Sequence, residues 1–415
     1  MKARLALLLG GLSAFGPLSI DMYLPAFPEI EAALHTRQAQ VQLTLTAFMV
    51  GLALGQAVFG PLSDAYGRRM PLLAGLTGYA AASLACAIAP SVFTLVGLRF
   101  AQGVSAAAGV VIARAAVRDI FTGPAMARFF SMLMLVSGLA PILAPLAGAQ
   151  ILRWTTWPGV FVVLAYFGVA LLIASAICLR ETLPPDKRRP FEVGRILRTY
   201  GRVATDRTFV AHATSIGFVT AAMFAYIAGS PFVLQNLHGL TPQAYSLVFG
   251  ANAVGLMVFT QVNRIFLTWF SPRALLTVGL VLSVLAGAGV LYAAVEKLGL
   301  PYLLPPMFLV VASLGMVLPN ATALALADHG SRAGTASALL GLIQFLIGGL
   351  AAPLVGLGGS GSSVPMAVVI AGMSAAGLVS FALIRPTRRR PGRYAALREA
   401  ETVKFGPVPP PRRRL

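Results

Sequence analysis

Residues 60–70 read GPLSDAYGRRM, a polar cluster with one acid and two arginines between two long apolar runs. The rest of the chain is unusually apolar, since 57% of its 415 residues are hydrophobic and only 11% are charged. Soluble proteins of this length carry about twice that fraction of charged residues. The composition therefore predicts a protein embedded in a membrane, with residues 60–70 in one of its short loops.

Apolar runs long enough to cross a bilayer recur along the whole chain. A spanning helix needs about 20 mostly apolar residues. The first half contains runs at 5–25, 42–62, 71–89, 92–114, 128–152 and 158–179, and the second half contains runs at 208–234, 243–267, 274–295, 302–326, 335–358 and 364–384. The sequence thus predicts an all-α membrane protein with twelve transmembrane helices in two six-helix bundles.

A long hydrophilic segment separates the two sets of runs. We expect residues 1–179 to form the N-terminal bundle, 180–207 a basic linker and 208–384 the C-terminal bundle. Within the linker, 191–205 alternates apolar and basic residues, which favours either an amphipathic helix on the membrane surface or a solvated loop. The tail at 385–415 is basic and rich in proline, so we expect it to be disordered near anionic lipid.

The arginines and lysines predict the orientation of the chain. Of the 32 basic residues, only Arg37, Arg153 and Lys297 fall in loops on the side opposite the linker, whereas most lie in the linker, the tail and the loops beside them. Basic residues mark the cytoplasmic side, so both termini are predicted to be cytoplasmic. This asymmetry explains the net charge of +19 without a nucleic-acid partner.

Two similar bundles joined by a linker suggest a secondary transporter, in which the bundles rock about a site at their interface. The spacing of Gly60, Asp64, Gly67 and Arg69 matches the signature loop between the second and third spans of the major facilitator superfamily. The chain resembles that superfamily in this loop.

Other segments resemble the drug/proton antiporters of the superfamily, and within them the bicyclomycin/chloramphenicol resistance (Bcr/CflA) subfamily. The segments are SIDMYLPAFP at 19–28, LRFAQGVSAAAG at 98–109, ARAAVRDIF at 113–121, GLAPILAPLAG at 138–148 and GTASALLGLIQF at 334–345. The second half departs from the pattern, because its corresponding loop at 263–275 lacks the acid and the glycines. The resemblance implies proton-coupled efflux of small amphipathic drugs across the bacterial inner membrane.

The resemblance also implies that the signature loop acts as a conformational latch. Asp64 is expected to bind the positive N-terminal end of the eleventh span, near Gly334, and so to hold the cytoplasmic side in one conformation. The alternative is that Asp64 only forms a local ion pair with Arg68. The predicted latch comprises Gly60, Asp64, Gly67, Arg68 and Arg69.

Asp21 is the only acid within a predicted span, about 24 Å along the first run, where an unpaired charge is expensive. Arg99 in the fourth run lies at a similar depth, so we expect the two to pair. A movable contact would let Asp21 take up and release a proton. The family motif with Arg99, Gln102 and Gly103 also implies a role for Arg99 in proton transfer. The alternatives are a capping acid near the periplasmic mouth and a structural arginine.

In the fifth run, Gly138, Pro141, Pro145 and Gly148 form a stripe of small or kinking residues that lets another helix approach closely. The stripe resembles the antiporter motif, although Ala140 precedes Pro141 and makes this copy degenerate.

A drug cavity needs apolar walls with a few polar anchors. Tyr23, Gln102 and Tyr226 are the predicted cavity residues, with ordinary helix packing as the alternative for each.

Other classes of function find no support in the sequence. It contains no HExxH or GxSxG motif and no nucleotide-binding loop, so we predict a secondary active transporter rather than an enzyme. We expect no metal and no cofactor, and a monomer that contacts drug, protons and lipid. Proton-coupled uptake, or export of a specific metabolite, is the alternative function on the same fold.

Overall fold

The computed structural model describes residues 2–121, 123–188, 194, 201, 203–327, 333–359 and 361–383. Within these residues the secondary structure is entirely helical. The first half consists of α1 (Lys2–Ser13), α2 (Phe15–Asp21), a 3-10 turn (Leu24–Ala26), α3 (Phe27–Ala33), α4 (Gln38–Tyr66), α5 (Arg69–Ala87), α6 (Val92–Ile120), α7 (Gly123–Ile151) and α8 (Trp157–Cys178).

The second half consists of α9 (Arg207–Pro231), extended by a π-helical turn (Phe232–Leu237), then α10 (Pro242–Phe266), α11 (Pro272–Val295), α12 (Leu300–Leu326), α13 (Ala333–Gly356) and α14 (Val364–Ala382). Most of the predicted linker, including nearly all of its predicted surface helix at 191–205, lies outside the described residues. The predicted tail at 385–415 lies wholly outside them.

Each of the twelve predicted spans coincides with a helix or a helix pair. Ten helices are individually long and apolar enough to cross a membrane, and the first span adds a bent pair. The fifth predicted span is occupied by α7, which is 29 residues long. The fold class predicted from the sequence is confirmed.

The first span is bent by 46° between its two segments, which meet between Ser13 and Phe15. Pro17 explains the bend, because proline has no N–H to donate to the carbonyl of Ser13 and its ring clashes with that carbonyl. The bend places the end of α2, with Asp21, at a different angle from α1.

The helices pack as two bundles. In the first, α6 lies against α4 and α5, α5 lies against α8, and α1 and α2 lie against α7. In the second, α9 packs on α12, α13 and α14, α11 packs on α12 and α14, and α10 packs on α12. Between the bundles, α4 packs on α13 and α7 packs on α10.

The contact between α4 and α6 depends on glycine. A Cβ atom on Gly103 of α6 would overlap the backbone carbonyl of Phe48, and one on Gly51 of α4 would overlap that of Phe100. The two backbones therefore approach as closely as small residues permit, which is how membrane helices gain packing energy.

Cross-bundle hydrogen bonds lie at one face of the molecule. We call the face that carries residues 66–69 and 179–188 the linker face, and the face that carries residues 34–37, 152–156 and 238–241 the opposite face. Among the described residues, five side chains donate to backbone carbonyls across the bundle interface: Gln42 to Ala228, Thr46 to Gly349, Gln235 to Pro25, Gln243 to Ala149 and Ser246 to Pro145.

These five carbonyls all lie in the part of the interface nearer the opposite face, within about three helical turns of it. Their hydrogen bonds measure 2.7–3.3 Å. No hydrogen bond between described residues joins the bundles near the linker face. Among the described residues, the hydrogen bonds between the bundles are therefore concentrated toward the opposite face.

Candidate functional site

Asp21 lies at the interface between the bundles. It is the last residue of α2, its exposed fraction is 4%, and it forms no hydrogen bond or ion pair with any other described residue. The 3-10 turn at Leu24–Ala26, which follows Asp21, packs against α9 and α10 of the second bundle. A buried acid without a partner is costly when charged, so this position is a candidate functional site.

Arg99 is fully buried inside the first bundle. Its Nη2 donates to the carbonyl of Ser19 at 2.9 Å, and its Nη1 donates to Oε1 of Gln102 at 2.5 Å. The guanidinium carbon lies 4.2 Å from the ring centroid of Tyr23 and 4.4 Å from that of Phe48. Aromatic faces and polar oxygens therefore compensate the buried cation, without a carboxylate.

The predicted pairing of Asp21 with Arg99 is wrong for this conformation, because no ion pair joins them. Arg99 instead binds the carbonyl of Ser19, two residues before Asp21. Two residues turn a helix by about 200°, so side chains at these positions point to different sides of α2. Arg99 faces the interior of the first bundle, whereas Asp21 faces the second bundle.

Two of the predicted cavity residues belong to the Arg99 site. Tyr23 is fully buried, with its ring on Arg99 and its hydroxyl 3.3 Å from Oγ1 of Thr44. Gln102 is also fully buried and donates to Oγ of Ser83 at 2.7 Å. Neither side chain lines a cavity in this conformation, because both are buried in contacts with the guanidinium and its neighbours.

Tyr226, the third predicted cavity residue, lies in the second bundle on the side of Asp21. Its hydroxyl accepts a hydrogen bond from Nδ2 of Asn252 at 2.6 Å, and only 1% of the residue is exposed. The hydroxyl of the neighbouring Tyr245 lies 3.4 Å from Oγ of Ser230. Both phenols thus form hydrogen bonds within the second bundle.

At the linker face, Arg68 organises the predicted latch. Its Nε donates to Oδ2 of Asp119 at 2.9 Å, and its Nη1 donates to Oγ of Ser63 at 2.8 Å and to Oδ1 of Asp64 at 2.5 Å. Burial alone would lower the pKa of Arg68, but the hydrogen bonds and charges of Asp119 and Asp64 outweigh it, and the pKa is raised. Arg68 is thus held in its charged form.

The predicted loop between the second and third spans is short. Helix α4 continues to Tyr66 and contains Gly60, whose carbonyl accepts a hydrogen bond from Ser63 at 2.8 Å. Gly67 has a φ of +91°, which non-glycine residues rarely adopt, and it reverses the chain into α5. Only Gly67 and Arg68 separate the two helices.

Sequence reasoning missed Glu181, which holds this reversal in place. Its Oε1 accepts from the backbone N–H of Arg68 at 2.8 Å, and its Oε2 accepts from that of Arg69 at 3.2 Å. Burial would raise the pKa of Glu181, but backbone hydrogen bonds from Leu183, Arg68 and their neighbours outweigh it, and the pKa is lowered. Its stabilising effect is therefore present above the pKa of the unfolded chain, and is lost as the pH falls through the lowered value.

Asp119 was also missed, although it lies in the quoted segment at 113–121. Its Oδ2 accepts from both Arg68 and the hydroxyl of Thr182, at 2.9 and 3.1 Å. The side chain comes from the end of α6, and Thr182 follows α8, so the network joins three separate parts of the first bundle. The one sequence signal for Asp119 and Glu181 was that each is an acidic residue at the end of a predicted span.

The latch contact between Asp64 and the start of α13 is not formed. Asp64 binds Arg68, which is the alternative left open by the sequence, and half of its side chain is exposed, at 50%. Residues 328–332, just before α13, lie outside the described residues. The role of Asp64 as a latch against the start of α13 in another conformation stays a prediction.

Substitutions in this network should distinguish residues that stabilise the fold from residues that are needed for transport. Asp119→Asn removes the charge of the better buried partner of Arg68 and should lower the free energy of unfolding by about 1–3 kcal/mol. Asp64→Asn removes a half-exposed partner, which should cost less than about 1 kcal/mol. If Asp64 is a latch, its variant should instead slow transport severalfold. Thermal melting and transport rates of both variants check this, and a larger loss of stability in Asp64→Asn would contradict it.

The stripe on α7 contacts both bundles. A Cβ atom on Gly148 would overlap the carbonyl of Met22, so this glycine permits close packing against the end of the first span. The carbonyl of Pro145 accepts from Ser246 at 3.0 Å, and the Cβ position of Gly138 lies 3.7 Å from Cε of Met257. Pro141 is half-buried between them. Its predicted role in sealing an antiporter stays a prediction.

Among the described residues, no group of histidine, cysteine, aspartate or glutamate side chains could hold a metal ion. Asp21, Arg99 and the tyrosines offer ionisation and hydrogen bonding.

Comparisons with known proteins agree with this architecture. The family model described as Major Facilitator Superfamily matches residues 9–353. The chain is 41% identical over 384 residues to YdgK of Bacillus subtilis, named an uncharacterized MFS-type transporter, and the match covers 92% of this chain and 95% of that protein.

Two further relatives carry names from drug resistance. The bicyclomycin resistance protein homolog of Haemophilus influenzae is 30% identical, covering 84% of this chain and 88% of that protein. The chloramphenicol resistance protein of Pseudomonas aeruginosa is 33% identical, covering 84% and 81%. Among solved structures, a bacterial homologue of the lysosomal transporter Spinster shares the fold, with a TM-score of 0.71 at 15% identity, and the match covers 92% of this chain and 94% of that one.

Proposed function

Because the chain belongs to the Major Facilitator Superfamily of transporters, and within it to the bicyclomycin/chloramphenicol resistance group, we propose that it exports small amphipathic drugs in exchange for protons. In this proposal it works as a monomer in the bacterial inner membrane, as a secondary active transporter driven by the proton gradient. The names of its relatives make bicyclomycin and chloramphenicol the first compounds to try.

The observation that carries the proposal is the position of Asp21. It is buried, it has no partner among the described residues, and it lies where the two bundles meet. In a low-dielectric site the neutral acid is favoured until something compensates its charge or admits water. A carboxyl group placed there can load a proton from one side and release it to the other as the interface opens.

Alternating access requires two units that move against each other, and we assign these roles to residues 1–179 and 208–384. Five hydrogen bonds close the opposite face, and each is a neutral bond worth only about 0.5–1.5 kcal/mol. A rocking motion can therefore exchange this closed face for a closed linker face at modest cost.

Orientation follows from the charge asymmetry of the sequence. With the linker face in the cytoplasm, most of the 32 basic residues obey the positive-inside rule and both termini are cytoplasmic. In this proposal the hydrogen-bonded opposite face is periplasmic, and cargo enters from the cytoplasmic side.

The proposal is tested by drug efflux in cells with and without the expressed protein. Expression should lower chloramphenicol accumulation and raise the inhibitory concentration severalfold, and a protonophore should abolish the difference. Protection that persists with the protonophore would argue against proton coupling. Increased accumulation on expression would favour the alternative, proton-coupled uptake.

A further inference from the structure

Arg114 is a second arginine within a membrane span, on α6, and it is not part of the Arg99 site or the latch. It forms no hydrogen bond or ion pair with any other residue that the structure describes. The side chain is exposed, yet the surrounding protein removes much of the bulk water from its guanidinium. A side chain that lines an internal, water-accessible cavity would show both features. A side chain on the lipid-facing surface of the bundle would not.

Contacts along α6 agree with this placement. Ala107 lies against Gly55 of α4, whereas Ala108 lies against Gly75 of α5. Arg114 follows Ala107 by two helical turns, so it lies on the α4 side of α6 and not on the α5 side. Helix α4 in turn packs on α13 of the second bundle, so this side of α6 faces the helix that borders the bundle interface.

The depth of Arg114 places it on the route from the linker face. It lies about 9 Å along the axis from the end of α6 at Ile120. At this level no hydrogen bond between described residues joins the bundles, whereas five join them toward the opposite face.

The acids near Arg114 are already engaged. Asp64, at the corresponding level of α4, binds Arg68, and Asp119 at the end of α6 binds the same arginine. Arg118, one turn after Arg114, is also exposed and forms no hydrogen bond or ion pair with a described residue. Two uncompensated guanidinium groups therefore follow each other along one side of α6.

We propose that Arg114, assisted by Arg118, binds the anionic group of acidic cargo compounds, such as a carboxylate, phosphonate or phenolate, on the linker-face side of the bundle interface. This inference rests on the proposed transport function and adds acidic compounds to its cargo, beside neutral drugs such as chloramphenicol. A guanidinium stays ionised and offers paired donors to such oxygens. The same charges repel organic cations, so the site selects anionic over cationic amphipathic compounds.

Two xanthene dyes of similar shape and opposite charge provide the probe, namely fluorescein as its anion and rhodamine 6G as a cation. Their binding is measured by fluorescence anisotropy on the purified protein in phosphatidylcholine nanodiscs. The wild type should bind fluorescein more tightly than rhodamine 6G. Arg114→Gln should weaken fluorescein binding by about tenfold to a hundredfold, and Arg114→Lys should retain part of the affinity.

The control is Arg153→Gln, which removes the same charge from an exposed position at the opposite face and should leave fluorescein binding unchanged. If Arg114→Gln does not fold, Arg118→Gln serves in its place, with a severalfold loss expected. Equal binding of fluorescein by the wild type and a folded variant of Arg114 or Arg118 would overturn the proposal, as would tighter binding of rhodamine 6G by the wild type.

A repeat in nanodiscs that contain phosphatidylglycerol distinguishes a solute from a lipid headgroup. Undiminished fluorescein binding supports the solute, whereas its displacement from the wild type by phosphatidylglycerol would assign Arg114 to lipid and overturn the proposal. No proton gradient exists across a nanodisc, so these results do not depend on whether transport is proton-coupled.

Discussion

Replacing Asp21 with asparagine is expected to abolish proton-driven efflux while leaving the protein folded. Asparagine has nearly the same size as aspartate but cannot release a proton. The carboxyl group makes no ion pair or hydrogen bond with a described residue, so its replacement leaves no partner unpaired. A buried neutral amide also avoids the cost of a buried charge, and the free energy of unfolding should not fall.

The measurement is drug-dependent alkalinisation of the lumen of energised inverted vesicles, followed with a pH-sensitive dye. When chloramphenicol is added, wild-type vesicles should release protons from the lumen. Asp21→Asn should reduce the rate of this release at least about tenfold, which corresponds to a free-energy difference of about 1.4 kcal/mol or more. Drug exchange without a gradient should persist, because it needs no net proton movement.

Glu29→Gln is the matched control for Asp21→Asn. Glu29 lies in α3, and its Oε1 accepts from the backbone N–H of Trp157 at 3.1 Å, which an amide oxygen can also do. This variant should keep its proton release. Undiminished proton release by Asp21→Asn would rule out Asp21 as the carrier.

A disulfide across the opposite face should arrest the transporter. A Cβ atom built on Gly349 of α13 lies 3.9 Å from Cβ of Met49 on α4, within the range of about 3.5–4.5 Å that disulfides require. Met49→Cys with Gly349→Cys should therefore cross-link on mild oxidation, in a background with Cys86→Ala and Cys178→Ser to remove the native thiols. The bond would hold the opposite face closed.

Transport by the oxidised double variant should fall to background, and a reductant should restore it. Each single cysteine variant should remain active under oxidation, which controls for the substitutions themselves. Full transport by the cross-linked protein would show that the bundles need not separate at this face, and alternating access by rocking would then be wrong.

Much of the fold could be predicted from the sequence, because the length of an apolar run is set by the bilayer and needs no tertiary information. All twelve predicted spans coincide with helices. The details that failed depend on local backbone geometry: α4 continues through Pro61 as far as Tyr66, so the polar stretch 60–66 is helix rather than loop.

The candidate site was predicted less completely. Depth along a helix placed Asp21 and Arg99 at one level, but pairing also depends on the direction in which each side chain points. The bent first span sends the carbonyl of Ser19 to Arg99 and turns Asp21 toward the second bundle. Glu181 was missed for another reason, since only the folded chain brings the end of α8 to the amides of Arg68 and Arg69.

The central claim is that drug and proton move in opposite directions through one interface that contains Asp21. The direct measurement uses purified protein in liposomes with an imposed pH gradient, and follows chloramphenicol and protons together. We expect chloramphenicol to accumulate in acidic liposomes while protons leave them, and Asp21→Asn liposomes to do neither. Chloramphenicol that moves in the same direction as the protons, or accumulates equally without a gradient, would contradict the account.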